Sequence, residues 1–540
     1  MKIKFCLITV LILSVIVFSS CMIGDYKDTL QFIPKDGQLI ANININSFFV
    51  RRGIYGELDS LKTEPKIKLF LNNLEDLACA IAFSRFPPGD IDYRTDFFPY
   101  IKPNFAISFY ELEGALTKLI GAANNGKMPQ IMDLKDKVPF IIVFNIEDKD
   151  GINDFIAKLN DSESFEKEIY KEKEILYSKE KSYYVNDEFF IVASNGELLK
   201  KSLDCFDDIQ LSITRDINFS SFREKKMTSD SIGFLFCNVP SINRGFLDTM
   251  SEAKKIKWKE LLDGIKYTGC ALDITGGKLK LNSYLIKQKK LSPFAEKVFS
   301  LHGRKLRSIA FFPEKKSDLV AIAEPQQTLP VLLSLFDGLP AVSNLKNTVE
   351  NQFGITLDYI LSSLSEELAC SLIPEDIEEN GRLSKKIPSG TVALKLKSNS
   401  SLNTMLCSSE SLFSFIPLVS SESYRDIPVR TVPGGTATYC RLNDFIMLFV
   451  GNRSASRDII NTFYKDNKSV EDCVKSELST EAIILLYLNT SEIYMKYVNP
   501  VITDRSLQEK LGETFEKYPE LWGNVTSADE GYVCRFIIPF

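Results

Sequence analysis

Residues 183–203 read YYVNDEFFIVASNGELLKKSL, and from residue 439 the chain reads YCRLNDFIMLFVGNRSASRDII. Both run aromatic, polar Asn-Asp turn, apolar strand, small polar bend, then the start of an amphipathic helix. A chain that repeats so long a pattern predicts two copies of one unit. At 540 residues it is also too long for one ordinary core.

Further echoes fall in the same order. Phe32-Ile33-Pro34 leads into GQLIANINI, where Leu39, Ala41, Ile43 and Ile45 alternate as in a half-buried strand. Its counterpart is Phe311-Phe312-Pro313, leading into DLVAIAE. The segment 96–110 matches 358–374, each a turn or helix feeding a strand. Segment 138–159 matches 390–406, each a strand, a polar turn and a helix, with Asp150 and Ser400 as capping residues. Then 231–242 matches 482–493. The hairpin 270–286, turning on Gly276-Gly277, matches 524–540, turning near Gly531. The spacing between partners drifts along the chain, as length changes in surface loops allow.

The expected fold class is therefore α+β. Two tandem homologous repeats each carry an antiparallel or mixed sheet, with helices packed on one side. The expected boundaries are a signal peptide over 1–20, a tether over 21–31, a first repeat over 32–288, an inter-repeat helix and linker over 289–304, and a second repeat over 305–540. In the linker Ser292 suits a cap, Pro293 the first helical position and Gly303 the stop. Long helices are expected at 328–339 and 345–353.

The first residues differ from the rest. Lys2 and Lys4 precede an apolar run from Phe5 to Phe18, broken by Thr9 and Ser14, and Ser19, Ser20 and Cys21 follow. A charged start, a short apolar run and small residues describe a secretory signal. The run is short for a membrane span of about 20 residues. Val17-Phe18-Ser19-Ser20-Cys21 resembles a bacterial lipobox, which makes Cys21 the expected lipidation site and mature N-terminus. A lipidated Cys21 would hold the folded part near its membrane, since about ten extended tether residues reach at most about 35 Å.

The stretch FGITLDYILSSLSEELACSLIP (353–374) resembles an uncharacterised family of bacterial exported proteins and lipoproteins, known only as a domain of unknown function. The shared pattern is glycine, apolar, Asp-aromatic, apolar, Glu-Leu-Ala. Phe311-Phe312-Pro313 and the element from Asn443 to Gly451 fit the same family. The resemblance implies a duplicated, exported α+β envelope protein and supplies no catalytic residue.

Much chemistry is disfavoured. The chain has one histidine, His302, at the expected helix end, which removes most histidine-dependent triads and metal sites. No phosphate loop or dinucleotide fingerprint is present. Eleven cysteines include no Cys-x-x-Cys pair and read mainly as small buried hydrophobes. Glu147-Asp148-Lys149-Asp150-Gly151 lacks the later bidentate Glu of a calcium loop and reads as a capping turn. The charge run 166–181 reads as a solvated face or a strand edge guarded by lysines. No basic stripe accompanies the net charge of −6, so no nucleic-acid partner is expected.

No catalytic residue, cofactor or metal is expected. The expected protein is a membrane-anchored cell-envelope lipoprotein, at the cell membrane or outer membrane, facing periplasm or exterior. Its expected role is non-catalytic binding or scaffolding of an envelope protein. The alternative is a carrier of lipid or another apolar ligand, since 38 Phe and 20 Tyr could line a pocket. A carboxylate-only hydrolase, with Trp258 or Trp522 as a sugar platform, and an outer-membrane barrel ending at Phe540 are weaker alternatives.

Overall fold

The structure is a computed structural model describing residues 28–44, 91, 93–124, 138–178, 181–228, 231–275, 278–314, 318–336, 347, 356–373, 389–407, 420–431, 437–450, 454–474, 478–479, 481–490 and 520–539. The chain divides into two units, Met1–Ala295 and Glu296–Phe540. The division falls inside helix Pro293–Phe299, where Ser292 Oγ accepts from Ala295 N at 3.3 Å. The helix ends at Phe299, short of Gly303. That glycine instead lies under the backbone of Ala482, where a Cβ would come within 3.0 Å.

Alternating apolar residues and tight turns make the first unit an antiparallel sheet. Its strands are β1 (Leu39–Asn44), β2 (Ile101–Phe109), β3 (Phe140–Ile146), β4 (Glu166–Tyr170), β5 (Lys173–Tyr177), β6 (Ser182–Val185), β7 (Phe189–Ala193), β8 (Ser231–Cys237), β9 (Ile265–Thr275) and β10 (Lys278–Lys287). They lie in the order β10-β9-β8-β1-β2-β3-β7-β6-β5-β4, every pair antiparallel. The expected turn between β6 and β7 is held by Asn186, whose Oδ1 accepts from Glu188 N at 2.9 Å and Phe189 N at 2.8 Å. The charge run forms the edge hairpin β4–β5, tied by Lys167–Glu174 at 2.9 Å.

The second unit holds β11 (Arg304–Lys305), β12 (Asp318–Ala323), β13 (Leu364–Ile373), β14 (Ser389–Leu396), β15 (Ser420–Tyr424), β16 (Ile427–Thr431), β17 (Ala437–Leu442), β18 (Phe445–Val450), β19 (Glu481–Ala482), β20 (Ile484–Asn489), β21 (Glu520–Ala528) and β22 (Gly531–Pro539). Apart from the small β11–β19 ladder, the order is β22-β21-β20-β12-β13-β14-β18-β17-β16-β15, again antiparallel throughout. The two orders agree strand for strand. So do the irregularities: the β2–β3 register slips between Ile101 and Phe105, and the β13–β14 register between Leu364 and Leu368.

Helices cover both faces of each sheet, not one as the strand patterning suggested. The cause is that the inner strands are apolar on both sides; β3 and β7 are buried along their whole length. In the first unit helices Gly196–Asp207 and Ile217–Lys226 pack Leu199, Leu203, Phe219 and Phe222 against Ile40, Val143, Phe189 and Phe236. On the opposite face Phe97 and Phe155 sit 4.9 Å apart, with Phe144 5.1 Å from Phe97. In the second unit helix Ser454–Phe463 brings Ile459 and Ile460 to Phe445 and Met447, and Leu402 and Leu361 pack on Leu394 and Ile446 from the other side.

Several local expectations shift. The cap of helix Lys149–Glu163 is Asp148, not Asp150; its Oδ1 accepts from Asp150 N at 2.9 Å and Gly151 N at 3.2 Å. Ser400 caps as expected, accepting from Asn403 N at 3.1 Å. The helix expected at 328–339 runs Pro325–Phe336; most of 345–353 lies outside the described residues, as do Gly276-Gly277. Asp28–Gln31, assigned to the tether, are folded: Asp28 caps a 3-10 turn Thr29–Phe32 whose Thr29 and Leu30 are buried. The Phe-Pro segments lead into β1 and β12 through 3-10 turns and isolated bridges, Pro34 to Ser212 and Pro313 to Ser469. The strand β1 is central rather than half-exposed, with Ile40, Ala41 and Asn42 all buried.

Candidate functional site

In the second unit, strand β13 carries Glu366 and Glu367 beside its register slip. Neighbouring β14 brings Lys395, and β11 with the residue after Leu306 brings Arg304, Lys305 and Arg307. These six residues line a cleft of about 270 Å³. A strand slip places a polar pair here because it interrupts the alternation that keeps apolar residues facing the core.

Glu367 is 4% exposed. Its Oε2 accepts from Arg307 N at 2.8 Å, and its Oε1 accepts from Ser308 N at 2.8 Å and from the Ser308 hydroxyl. Burial pushes this carboxyl above its ordinary range, against the opposing pull of those donors. Glu366 accepts from Lys395 Nζ at 2.6 Å, and Asp444, in the β17–β18 turn, does so at 2.9 Å. The hydrogen bond from Lys395 holds both carboxyls below their usual values. Burial lowers the Lys395 ammonium, but its two carboxylate partners outweigh that and leave it raised. Arg304 pairs with Glu324. Lys305 and Arg307 are exposed and have no ion-pair partner among the described residues.

The first unit has a neutral pair at the matching slip. Asn104 Nδ2 donates to Asn145 Oδ1 at 2.5 Å, both residues buried, with Asn104 facing Asn44 across β1–β2 as Glu367 faces Ala323 across β12–β13.

The charged cleft is built as a clasp. The carboxylate most removed from water spends both oxygens on the backbone and hydroxyl of residues 307–308, and the two nearer solvent share one lysine. Sequence reasoning did not single out the cleft, yet its signal was present: Glu367 is the glutamate of the Glu-Leu-Ala in the family-like stretch, and Lys395 is a charge inside an apolar strand.

Cys21, the one site residue expected from sequence, lies outside the described residues. His302 is exposed. Trp522 is buried in the second core, which removes it as a sugar platform. Cys205, Cys237, Cys270, Cys370 and Cys440 are free thiols; burial raises the Cys205 and Cys237 thiols to about 12 and Cys270 to about 11. Among the described residues no three His, Cys, Asp or Glu side chains are disposed to hold a metal ion, and no helix is long and apolar enough to cross a membrane.

No protein-family model matches the chain, and no curated protein matches it. Among solved structures, the chain is similar to those titled crystal forms I and III of TP0453. Identities are 10% and 8%, over 52% of this chain and 90% of each of those, with TM-scores of 0.26 and 0.24. Likeness at that level carries no argument about fold or role.

Proposed function

We propose that this chain is a lipid-anchored cell-envelope protein, built as a tandem duplication of one ten-stranded module, that binds or scaffolds another envelope protein without catalysing a reaction. The duplication is supported by the shared strand order, the shared slips at Ile101–Phe105 and Leu364–Leu368, and the paired bridges at Pro34 and Pro313. Membership in the uncharacterised exported family fits the same features. Cys21 would carry the acyl chains and the signal 1–20 would be removed.

The observation that carries the non-carrier reading is the packing of the aromatic side chains on one another. Phe32 meets Phe189 at 4.6 Å, Phe219 meets Phe236 at 5.2 Å, and Phe311 meets Phe445 at 5.3 Å. Residues that could have lined an apolar pocket fill a core instead. Surfaces are then left to do the work. Among the described residues β4 pairs with β5 alone, keeps Ile169 at 66% exposure and offers its outer backbone groups to an incoming strand.

Fractionation tests the reading. The wild-type protein is expected in the membrane fraction with acyl mass on Cys21, and Cys21→Ala is expected in the soluble envelope fraction. An unmodified Cys21, or a Cys21→Ala protein still in the membrane, refutes the anchor.

A further inference from the structure

Three large apolar side chains stand exposed within one short stretch of the first unit: Phe206 at 37%, Leu211 at 48% and Ile217 at 79%. Two 3-10 turns, Ile209–Leu211 and Ile213–Arg215, alternate here, begun by Asp208 and Ser212 as caps. The alternation sends Ile213 fully into the core and leaves Leu211 and Ile217, on either side of it, outside. Scattered exposed apolar residues are ordinary; a group of them beside an anchor is not.

The stretch is fastened to the first described residues of the chain. Ser212 Oγ donates to Leu30 O at 2.9 Å, Ile213 N to Ile33 O at 2.7 Å, and Lys35 N to Leu211 O at 3.0 Å. Phe206 stacks on Phe32 at 4.6 Å, and Arg223 pairs with Asp28 at 2.8 Å. Asp28 follows Cys21 by only seven residues, a span of at most about 24 Å when fully extended.

We propose that this face, centred on Leu211 and Ile217, rests in the headgroup–acyl boundary of the bilayer that holds Cys21. The inference rests on the lipid-anchored reading above. An anchor at Cys21 keeps Asp28, and with it these side chains, within one short tether of the lipid, so each contact forms at high effective concentration. Apolar side chains at that depth gain from leaving water. The exposed charges around them are mixed, with Lys35 and Arg215 against Asp207 and Asp208. The surface therefore does not select anionic lipid, and the contact is expected to resist salt.

The test is hydrogen exchange on the full-length acylated protein in phosphatidylcholine vesicles, beside the Cys21→Ala protein free in the same buffer. Amides of residues 206–219 are expected to exchange several-fold more slowly in vesicles, equally at low and high salt. A Leu211→Asp/Ile217→Asp variant is expected to keep its fold, because both side chains are exposed and Ile217 opens helix Ile217–Lys226, where Asp suits the first turn; it should lose the slowing while β3 stays protected. Acylated protein that shows no slowing overturns this proposal alone. An unacylated Cys21, read by mass spectrometry of the mature N-terminus, overturns the anchor and this proposal together. Slowing that grows with protein concentration without vesicles assigns the face to a second copy of the chain and also overturns it.

Discussion

The carboxylate of Glu367 accepts from both the backbone N–H and the hydroxyl of Ser308, 59 residues away in the chain. A buried acid thereby fixes the start of the 3-10 turn Ser308–Phe311, and the turn sets Phe311 against Phe445. Removing the acid strands three donors, the N–H groups of Arg307 and Ser308 and the Ser308 hydroxyl. Glu367→Ala is expected to destabilise the second unit by about 3 kcal/mol, from lost charge-assisted bonds and unsatisfied N–H groups. Urea unfolding checks it, and a change near zero would contradict the clasp.

The same acid gives a pH signature. Its folded value lies above its unfolded one, so the native state holds the proton more tightly. Its contribution is fully present below the unfolded value of about 4.3 and diminishes as pH rises through the folded value. The stability advantage of wild type over Glu367→Gln should therefore shrink as pH rises through that window. Glu366 and Asp444, lowered by Lys395, act in the opposite sense: their contribution is present at neutral pH and lost on acidification. Both are about half exposed, so their share is small. Parallel wild-type and Glu367→Gln curves would refute the assignment.

Phe189 and Phe445 begin the matching strands β7 and β18 and are both buried. Truncation of either to alanine leaves a cavity costing about 3–5 kcal/mol. Each variant should lower the unfolding transition, read by calorimetry. A transition left unchanged by either substitution would contradict this packing.

Two glycines in the first strands of the long hairpins lie under aromatic rings. A Cβ on Gly269 would meet Phe222 at 2.5 Å, and one on Gly523 would meet Phe536 at 2.6 Å. Gly269→Ala and Gly523→Ala should each cost about 1–3 kcal/mol through overpacking. Thermal unfolding of the two variants tests it.

The sequence made the strands legible because their apolar runs and Asn-Asp or glycine turns are local signals. The matches at 183–203 and 439–460 became β6–β7 and β17–β18, each feeding a helix. What it did not reveal depends on distant partners. Asp148 outcompeted Asp150 as a cap by one register choice. Gly303 read as a helix stop because its contact, Ala482, lies far along the chain. Helices were expected on one side of the sheet because the cover of the second side is a distant contact: helix Lys149–Glu163 brings Phe155 to Phe97 and Phe97 to Phe144 of β3 only in the fold. Glu367 stood in a recognisable motif, but only the fold pairs it with Ser308.

Cross-linking in living cells, followed by mass spectrometry of what accompanies the tagged protein, tests the central claim most directly, with a Cys21→Ala strain beside it. A tethered binding protein should enrich one envelope protein in the wild-type strain and lose it in the Cys21→Ala strain. Recovery of lipid or small molecules alone would contradict the binding role and favour a carrier.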